Sequence, residues 1–468
     1  MSYMNRTEKI SGAHYRLPKL GDMGTRVDAF LSENLFAQTD ETLWRQAVNA
    51  ASYPGAESVY LMPDTHVGYH VPVGGVLVTD GVVVQAGSGF DISCGVLYAR
   101  LDGVTAKDIV DKRVRRRWID AVESRVATGL GSHRPDKAGK IGHSIVRELV
   151  RYGAQPLGVN PDLCERPFIP VPDDFDETKI ERAWNKATPQ MGSLGGGNHF
   201  IEMQVDEKDG SVWVMIHCGS RGFGWQIANY YFYEGGRLRG LPPKRREESW
   251  LRLDEPLGRE YWAAHNAAAN YAIANRWCIL GEIEKAVDEV FNAGVKPYYE
   301  ISHNLVQEET IVSPDGSTKR RFVHRKGATR ALPALHPDLG NSKWRETGHP
   351  VLIPGSMHAG AAILFPQERA HEAGCSVNHG SGRLLGRGQA KRELHDLQGD
   401  IDHEMNTTKR VLGGVEVEGI VTNSRQTPLD ECAYVYKDLD EVLGVLESEG
   451  IAKVTQRLYP VANLKGMD

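Results

Sequence analysis

Long hydrophobic runs are missing from this sequence. No uninterrupted apolar stretch approaches the roughly 20 residues of a membrane-spanning helix, which excludes that class of bilayer protein. A surplus of positive charge is missing as well: 55 Lys and Arg face 61 Asp and Glu, a formal net charge of −6. Any polyanionic partner therefore has to be held by a local basic patch. Cysteine is sparse, and the six residues at 94, 164, 218, 278, 375 and 432 lack disulfide-scaffold spacing. With no leader-like stretch at Met1-Ser-Tyr-Met-Asn-Arg6, they read as reduced thiols and the chain as cytoplasmic. Internal repeats and low-complexity tracts are also absent, which excludes solenoids and disordered tails. The remaining composition, 41% hydrophobic and 25% charged, is that of a globular protein. Glycine is the abundant residue, at 50, and many glycines sit beside His, Asp, Asn or Ser. That placement reads as loops shaped around ligands more than as flexible linkers.

Periodicity gives a coarse map. Thr25 to Ser52 reads as helical, Ser58 to Asp64 as a strand, and Val73 to Gly87 as a hairpin turning at Asp80-Gly81. Lys107 to Ala127 reads as a basic helix carrying Lys112, Arg113, Arg115, Arg116 and Arg117. A run of this kind usually forms a solvated face, and phosphate contact is its less common use. Gln155 to Glu177 is a loop, and Gly258 to Phe291 is the longest helix, alanine-rich and buried along one side. Ser211 to His217 and Val295 to His303 are strands that each end in a histidine. Pro314-Asp315-Gly316 turns a hairpin returning through Lys319 to Arg325; Gly388 to Arg410 and Leu439 to Glu449 are late helices.

The chemistry gathers at glycine-rich turns. Asp91 and Cys94 lie three residues apart in Ala86-Gly-Ser-Gly-Phe-Asp-Ile-Ser-Cys-Gly95, after the apolar run at Val82. Glycines let such a turn bend tightly enough for both side chains to face one spot. A carboxylate and a thiolate together suit a divalent transition metal, although a buried free cysteine would give the same pattern. Gly195-Gly-Gly-Asn198-His199-Phe200-Ile-Glu202 offers backbone N–H groups for phosphate, then an amide, an imidazole and a carboxylate. His217 and His303 close strands, His303 beside Asn304, and neutral imidazole is the commonest protein ligand for such metals. Cys218 is read as facing the opposite side from His217. Asp91, Cys94, His199, His217 and His303 can together hold two ions if Cys94 bridges them, an arrangement suited to phosphoryl chemistry.

Two further stretches carry anion chemistry. His324-Arg325-Lys326-Gly327-Ala-Thr-Arg330 is a basic turn, open to phosphate or to solvent. Pro354-Gly355-Ser356-Met357 ends a strand with a hydroxyl suited to a nucleotide. His379-Gly380-Ser381-Gly382-Arg383 sets an imidazole in open backbone beside a guanidinium, which fits a nucleophile toward phosphorus. Arg383, Arg387, Lys391 and Arg392 follow as the densest local set of cations.

At these residues the sequence resembles the RtcB-type RNA-splicing ligases, from about Leu61 to the C-terminus. The matching stretches are MPDTHVGY, GFDISCG, GGGNHFIE, HCGSRG, SHN, HRKGATRA, IPGSM, HGSGR, QAKR, YKD and the terminal Leu464-Lys465-Gly466. The resemblance implies one interwoven α+β unit over residues 1–468, with central antiparallel and mixed sheets flanked by helices. It implies a GTP- and Mn²⁺-dependent ligase for RNA, acting in tRNA splicing or RNA repair. Such enzymes join 2′,3′-cyclic-phosphate or 3′-phosphate ends to 5′-hydroxyl ends, with a helper protein left open. Asp91, Cys94 and His199 would bind one manganese ion, and Cys94, His217 and His303 the other. His379 would take GMP. Asn198, Phe200, Glu202, Asn304, Pro354, Gly355, Ser356, Met357, Gly380, Ser381, Gly382, Tyr436 and Lys465 would form the guanylate pocket. The family's Asp-x-Gly-Cys-Gly carries Ser93 here, its His-Gly-Ala-Gly-Arg carries Ser381, and its first motif continues into His70. Its Pro-Gly-Ser-Met turn is followed by His358 and Ala361, and Arg387 stands where serine is common. A manganese phosphoesterase and a non-catalytic RNA-end-binding protein are the alternative readings.

Overall fold

The computed structural model describes residues 2–131, 133–313 and 315–466. It is a mixed α+β structure built on two large sheets. The first sheet orders its strands Glu8–Lys9, His14–Leu17, Val27–Phe30, Ala56–His66, Val73–Thr79, Thr318–Lys326 and Asn304–Val312. Neighbours are antiparallel except Val27–Phe30, which lies parallel to Ala56–His66. The second sheet runs Val295–Ser302, Gly95–Thr105, Ser211–Cys218, Phe200–Asp206, Ala452–Lys465, Ala361–Pro366 and Val351–Pro354. Val421–Thr422 adds in parallel to Ala452–Lys465. The chain passes from the second sheet to the first at one residue, His303, between the strands ending at Ser302 and starting at Asn304.

The long helix spans Pro256–Phe291. It begins two residues before the expected Gly258 because proline fits the first helical turn, where its missing N–H costs nothing. Asn292, at φ +50, ends it in the left-handed conformation that asparagine tolerates. Its alanine-rich middle is buried from Ala263 to Trp277, against the strands Ser211–Cys218 and Gly95–Thr105. Among the described residues no helix is long and apolar enough to cross a membrane.

Several expected elements differ. Thr25 to Ser52 is not one helix: Val27–Phe30 is a strand, and the helices are Glu33–Ala37 and Glu41–Ala51. The break is local, because Ser32 and Asp40 each accept an N–H of the following turn and start separate helices. The hairpin at Asp80-Gly81 does turn, with Gly81 at φ +66, but Val82–Val83 pairs with Leu251–Arg252. Both edges of Val73–Thr79 are already occupied by Ala56–His66 and Thr318–Lys326. The Asn304–Val312 and Thr318–Lys326 hairpin forms, while Pro314 lies outside the described residues. The basic helix is shorter than expected, Lys112–Glu123, started by Asp111 accepting the Arg113 N–H at 2.8 Å. Gly388 to Arg410 divides into Arg387–Glu393 and Gln398–Thr407.

Candidate active site

Strand register brings the strand-end residues of the second sheet to one place. Gly95 pairs with both Ser302 and Cys218, and His217 pairs with Val96 and Phe200, so Cys94, His217 and His303 share that end. Cys94 Sγ lies 3.2 Å from His217 Nε2 and 3.5 Å from His199 Nε2. His217 Nε2 is 3.2 Å from His303 Nε2, and His199 Nε2 is 2.9 Å from Asp91 Oδ2. Two groups result, Asp91–Cys94–His199 and Cys94–His217–His303, each with its donor atoms within 4.8 Å of one another. They share the Cys94 sulfur.

The far side of each imidazole is fixed by backbone. His199 Nδ1 lies 3.0 Å from Leu194 O, and His217 Nδ1 lies 3.0 Å from Asn198 O. A ring that donates Nδ1–H to a carbonyl presents a bare Nε2 lone pair to the centre, as a metal ligand must. Burial holds His217 and His303 well below the ordinary imidazole pKa. Burial alone would raise the Asp91 carboxyl, but the His199 ring outweighs it and holds that group at about 2. Burial, reinforced by the Asp91 carboxylate, pushes the Cys94 thiol up to about 12. Burial alone would lower the His199 ring, but the neighbouring thiols and the Asp91 carboxylate outweigh it and hold that ring well above the ordinary imidazole value, so a metal ion there would displace its proton. Three imidazoles, a carboxylate and a thiol form a donor set that fits soft-to-borderline divalent metals.

The long helix supports these loops from behind. Fully buried Arg276 donates to Ser93 O at 2.7 Å and Cys218 O at 2.8 Å while paired with buried Glu300. Asn275 Nδ2 donates to Ser193 O at 3.1 Å. Ser93, where the resembled family has glycine, takes φ +57, and its Oγ lies 2.7 Å from Ser302 Oγ. Cys218 faces away from the metal groups, 3.1 Å from Leu194 O, as strand alternation from His217 requires. A third group, His336, His371 and Cys375, lies elsewhere. There the His336 Nδ1 lone pair already accepts the Asp338 N–H at 3.2 Å, and the Cys375 thiol rests 3.4 Å from His371 Nδ1.

His379 follows the strand Ser376–Asn378, which pairs with Ala328–Arg330. Its ring meets that of His303 edge-on with centroids 5.0 Å apart, so it borders the metal groups. Its Nδ1 lies 2.6 Å from Oδ2 of Asp64, a fully buried carboxylate that also accepts the His379 N–H at 3.1 Å and the Gly380 N–H at 3.3 Å. Gly382 packs on the backbone of Asp64: it sits at φ +77, and a Cβ there would stand 2.2 Å from the Asp64 carbonyl oxygen. Asp64 lies within the motif Met62 to Tyr69, and nothing in its local sequence assigns it this role. Its only signal was a carboxylate inside a matched stretch.

One cavity of about 440 Å³ opens in front of His379. Asn198, Phe200, Glu202, Asn304, Pro354 to Met357, Gly380 to Gly382, Tyr436 and Lys465 all line it, together with His217 and His303. Asp91, Cys94 and His199 are not among the residues that line it. Pairing of Ala452–Lys465 with Phe200–Asp206 sets Asn463 opposite Glu202 and Lys465 opposite Phe200. Asn463 Nδ2 donates to Glu202 Oε1 at 2.7 Å, and burial raises the Glu202 carboxyl to about 7. Glu431 also lines the cavity and gathers three of its polar groups. It accepts from Lys465 Nζ and Tyr436 OH at 2.6 Å each and pairs with Arg387 at 3.0 Å. Nothing in the local sequence distinguishes it from any other acidic residue.

The expected anion patches are changed by this packing. Arg387 and Lys391 pair with Asp430 at 3.5 and 3.6 Å, and Arg383 donates to Asp430 O at 2.6 Å. These cations are therefore spent partly inside the protein. The His324 to Arg330 turn is internal: Arg325 and Arg330 are buried on Glu309, and Lys326 donates to Tyr69 O and Val71 O at 2.8 and 2.9 Å. Ser381 is buried with its hydroxyl unpartnered, and Ala361 is buried in a strand paired to Leu458.

A cysteine shared by two groups that could hold metal ions, a carboxylate-held histidine and a cavity of about 440 Å³ therefore meet at one place. The family model for tRNA-splicing ligase RtcB matches residues 46–466. The chain is 34% identical to the tRNA-splicing ligase RtcB of Archaeoglobus fulgidus, over 98% of each chain. It is 33% identical to the protein of the same name from Thermococcus kodakarensis over all of both chains. It is also 33% identical to the RNA-splicing ligase RtcB of Mycobacterium tuberculosis, over 90% of this chain and all of the relative. The chain belongs to the RtcB family of RNA-splicing ligases.

Proposed function

We propose that the protein is a GTP- and manganese-dependent RNA ligase that seals a 3′-phosphate to a 5′-hydroxyl through guanylylated His379. A 2′,3′-cyclic phosphate would first be opened by water to the 3′-phosphate. The observation that carries the reading is the buried Asp64 carboxylate on His379 Nδ1, which leaves Nε2 as the free nucleophile beside the cavity. Nε2 attacks the α-phosphorus of GTP, and the bond to pyrophosphate breaks. Asp64 stabilises the positive charge that grows on the ring. Glu202 accepts guanine N–H donors, and Lys465, steadied by Glu431, lies against the nucleotide. The guanylate then passes to an oxygen of the RNA 3′-phosphate as the P–N bond breaks. Attack of the 5′-hydroxyl on that phosphorus expels GMP. Manganese held by Asp91, Cys94 and His199, and by Cys94, His217 and His303, would neutralise charge on phosphoryl oxygens.

Labelled GTP tests this directly. Protein with α-labelled GTP and Mn²⁺ is expected to form an acid-labile, base-stable adduct that His379→Ala abolishes. Release of phosphate from RNA ends without any adduct would overturn the reading in favour of a phosphoesterase.

A further inference from the structure

Beyond the active-site cavity lie two more cavities, each sharing lining residues with its neighbour. The first holds about 310 Å³ and shares Arg387, Glu431 and Lys465 with the active site. The second holds about 580 Å³ and shares Ser424 and Thr427 with the first. Five cations line that outer cavity: Lys112, Arg113, Arg116 and Arg117 from one helix, and Arg425 from the loop opposite. Asp402 is its one acidic residue, and its Oδ1 already accepts the Thr427 N–H at 2.7 Å and Gln398 at 3.1 Å.

Helical spacing explains the clustering. Arg115, Trp118, Ile119 and Val122 are buried, which turns positions 112, 113, 116 and 117 to the other side. Among the described residues the acids paired with Lys112, Arg113 and Arg116 are exposed or partly exposed, Glu418 at 3.3 Å, Asp111 at 2.9 Å and Asp120 at 4.0 Å, and Lys112 also donates to Asn406 O at 2.8 Å. Surface pairs of that kind are worth about 0–1 kcal/mol and yield readily to a phosphate. Arg117 and Arg425 are exposed and, among the described residues, have no ion pair or side-chain hydrogen bond. In a chain of net charge −6, this is a strong local excess of positive charge in a cavity that adjoins, through one other, the active-site cavity.

We propose that this outer cavity, faced by Arg117 and Arg425, holds the phosphate backbone of a single RNA strand whose end lies at His379. The inference rests on the ligase reading for the nature of the ligand. A string of pockets suits one strand better than the broad contact a duplex makes, and guanidinium groups suit phosphate geometry. The basic helix is therefore more than a solvated face.

The test is the binding of a 3′-phosphorylated single-stranded RNA of about ten nucleotides to the full protein over a salt series. Each phosphate contact on a single strand contributes about 0.7 to the slope of log K against log[salt]. The double variant Arg117→Ala/Arg425→Ala is expected to bind at least tenfold more weakly at low salt, with a slope shallower by about 1.4. Its binding of a 3′-phosphorylated dinucleotide, which offers far less backbone than the longer strand, should match the parent. Both side chains are exposed, and a parent-like circular dichroism spectrum confirms folding. Affinity and slope equal to the parent would overturn the proposal, as would an equal loss for the dinucleotide. GMP labelling of His379 is scored separately. A parent that takes no GMP yet binds RNA with the expected difference between variants sinks the ligase reading and supports this binding site.

Discussion

Replacing Asp64 with asparagine is the sharpest test of the geometry around His379. The change is nearly isosteric in a fully buried position, so packing is retained and only charge and donor pattern alter. Asp64 Oδ2 now serves three donors: the His379 ring at 2.6 Å and the N–H groups of His379 and Gly380 at 3.1 and 3.3 Å. A carboxamide oxygen turned to the same place still accepts, but it no longer carries the charge that stabilises a positive ring. Hydrogen bonds to charged groups are worth about 1.5–3 kcal/mol, a factor of roughly 10–150 in rate. If the amide NH₂ faces the ring instead, Nδ1 becomes the acceptor and the ring proton moves to Nε2, blocking the nucleophile. The equivalent change behind a catalytic histidine in serine proteases costs about 10⁴ in rate. Single-turnover labelling of Asp64→Asn with α-labelled GTP should therefore slow by about 10–10⁴, with GTP affinity within about threefold of the parent. A labelling rate close to the parent's would show that the Asp64 contact does not set the tautomer of His379.

Removal of the Cys94 thiol should empty both metal groups together, so metal analysis of Cys94→Ala is expected to find neither ion; retention of one or both would refute the shared ligand. Glu202 should impose a pH limit on nucleotide binding, because burial raises its carboxyl to about 7 and guanine N–H donors need the ionised form. GTP affinity is then expected to fall about tenfold per pH unit below 7 and to level off above it, while Glu202→Gln binds weakly with no such break. Folding carries the opposite sign. A carboxyl whose folded pKa is raised adds stability below its unfolded value near 4.5 that is lost as pH rises through 7, so Glu202→Gln should gain in melting temperature over the parent at pH 8. Ser93→Gly removes a left-handed non-glycine residue and also one buried hydroxyl pair. Those terms are about 1 kcal/mol each and of opposite sign, so chemical denaturation should place the variant within about 1 kcal/mol of the parent.

Much of the site was legible before any folding was considered. The strands that carry His217 and lead into His303 were both legible, and they bring the two histidines to one end of the second sheet. Period-two alternation alone separates His217 from Cys218. Order and spacing of the glycine-rich stretches were enough for the family, because those turns are local chemistry. Pairings between distant segments were not legible. Asp64 and His379 are 315 residues apart, and no local pattern joins them. Glu431 looks like any surface acid until Lys465, Tyr436 and Arg387 converge on it. Charge was the most misleading signal: Arg325 and Arg330 are buried ion-pair partners and Arg387 and Lys391 face Asp430, whereas the helix read as a solvated face borders an open cavity. Sequence fixes where a cation is along the chain. Only the fold decides whether an acid stands opposite it, since the Coulomb partner depends on distance in space, and the local solvent determines what the pair is worth.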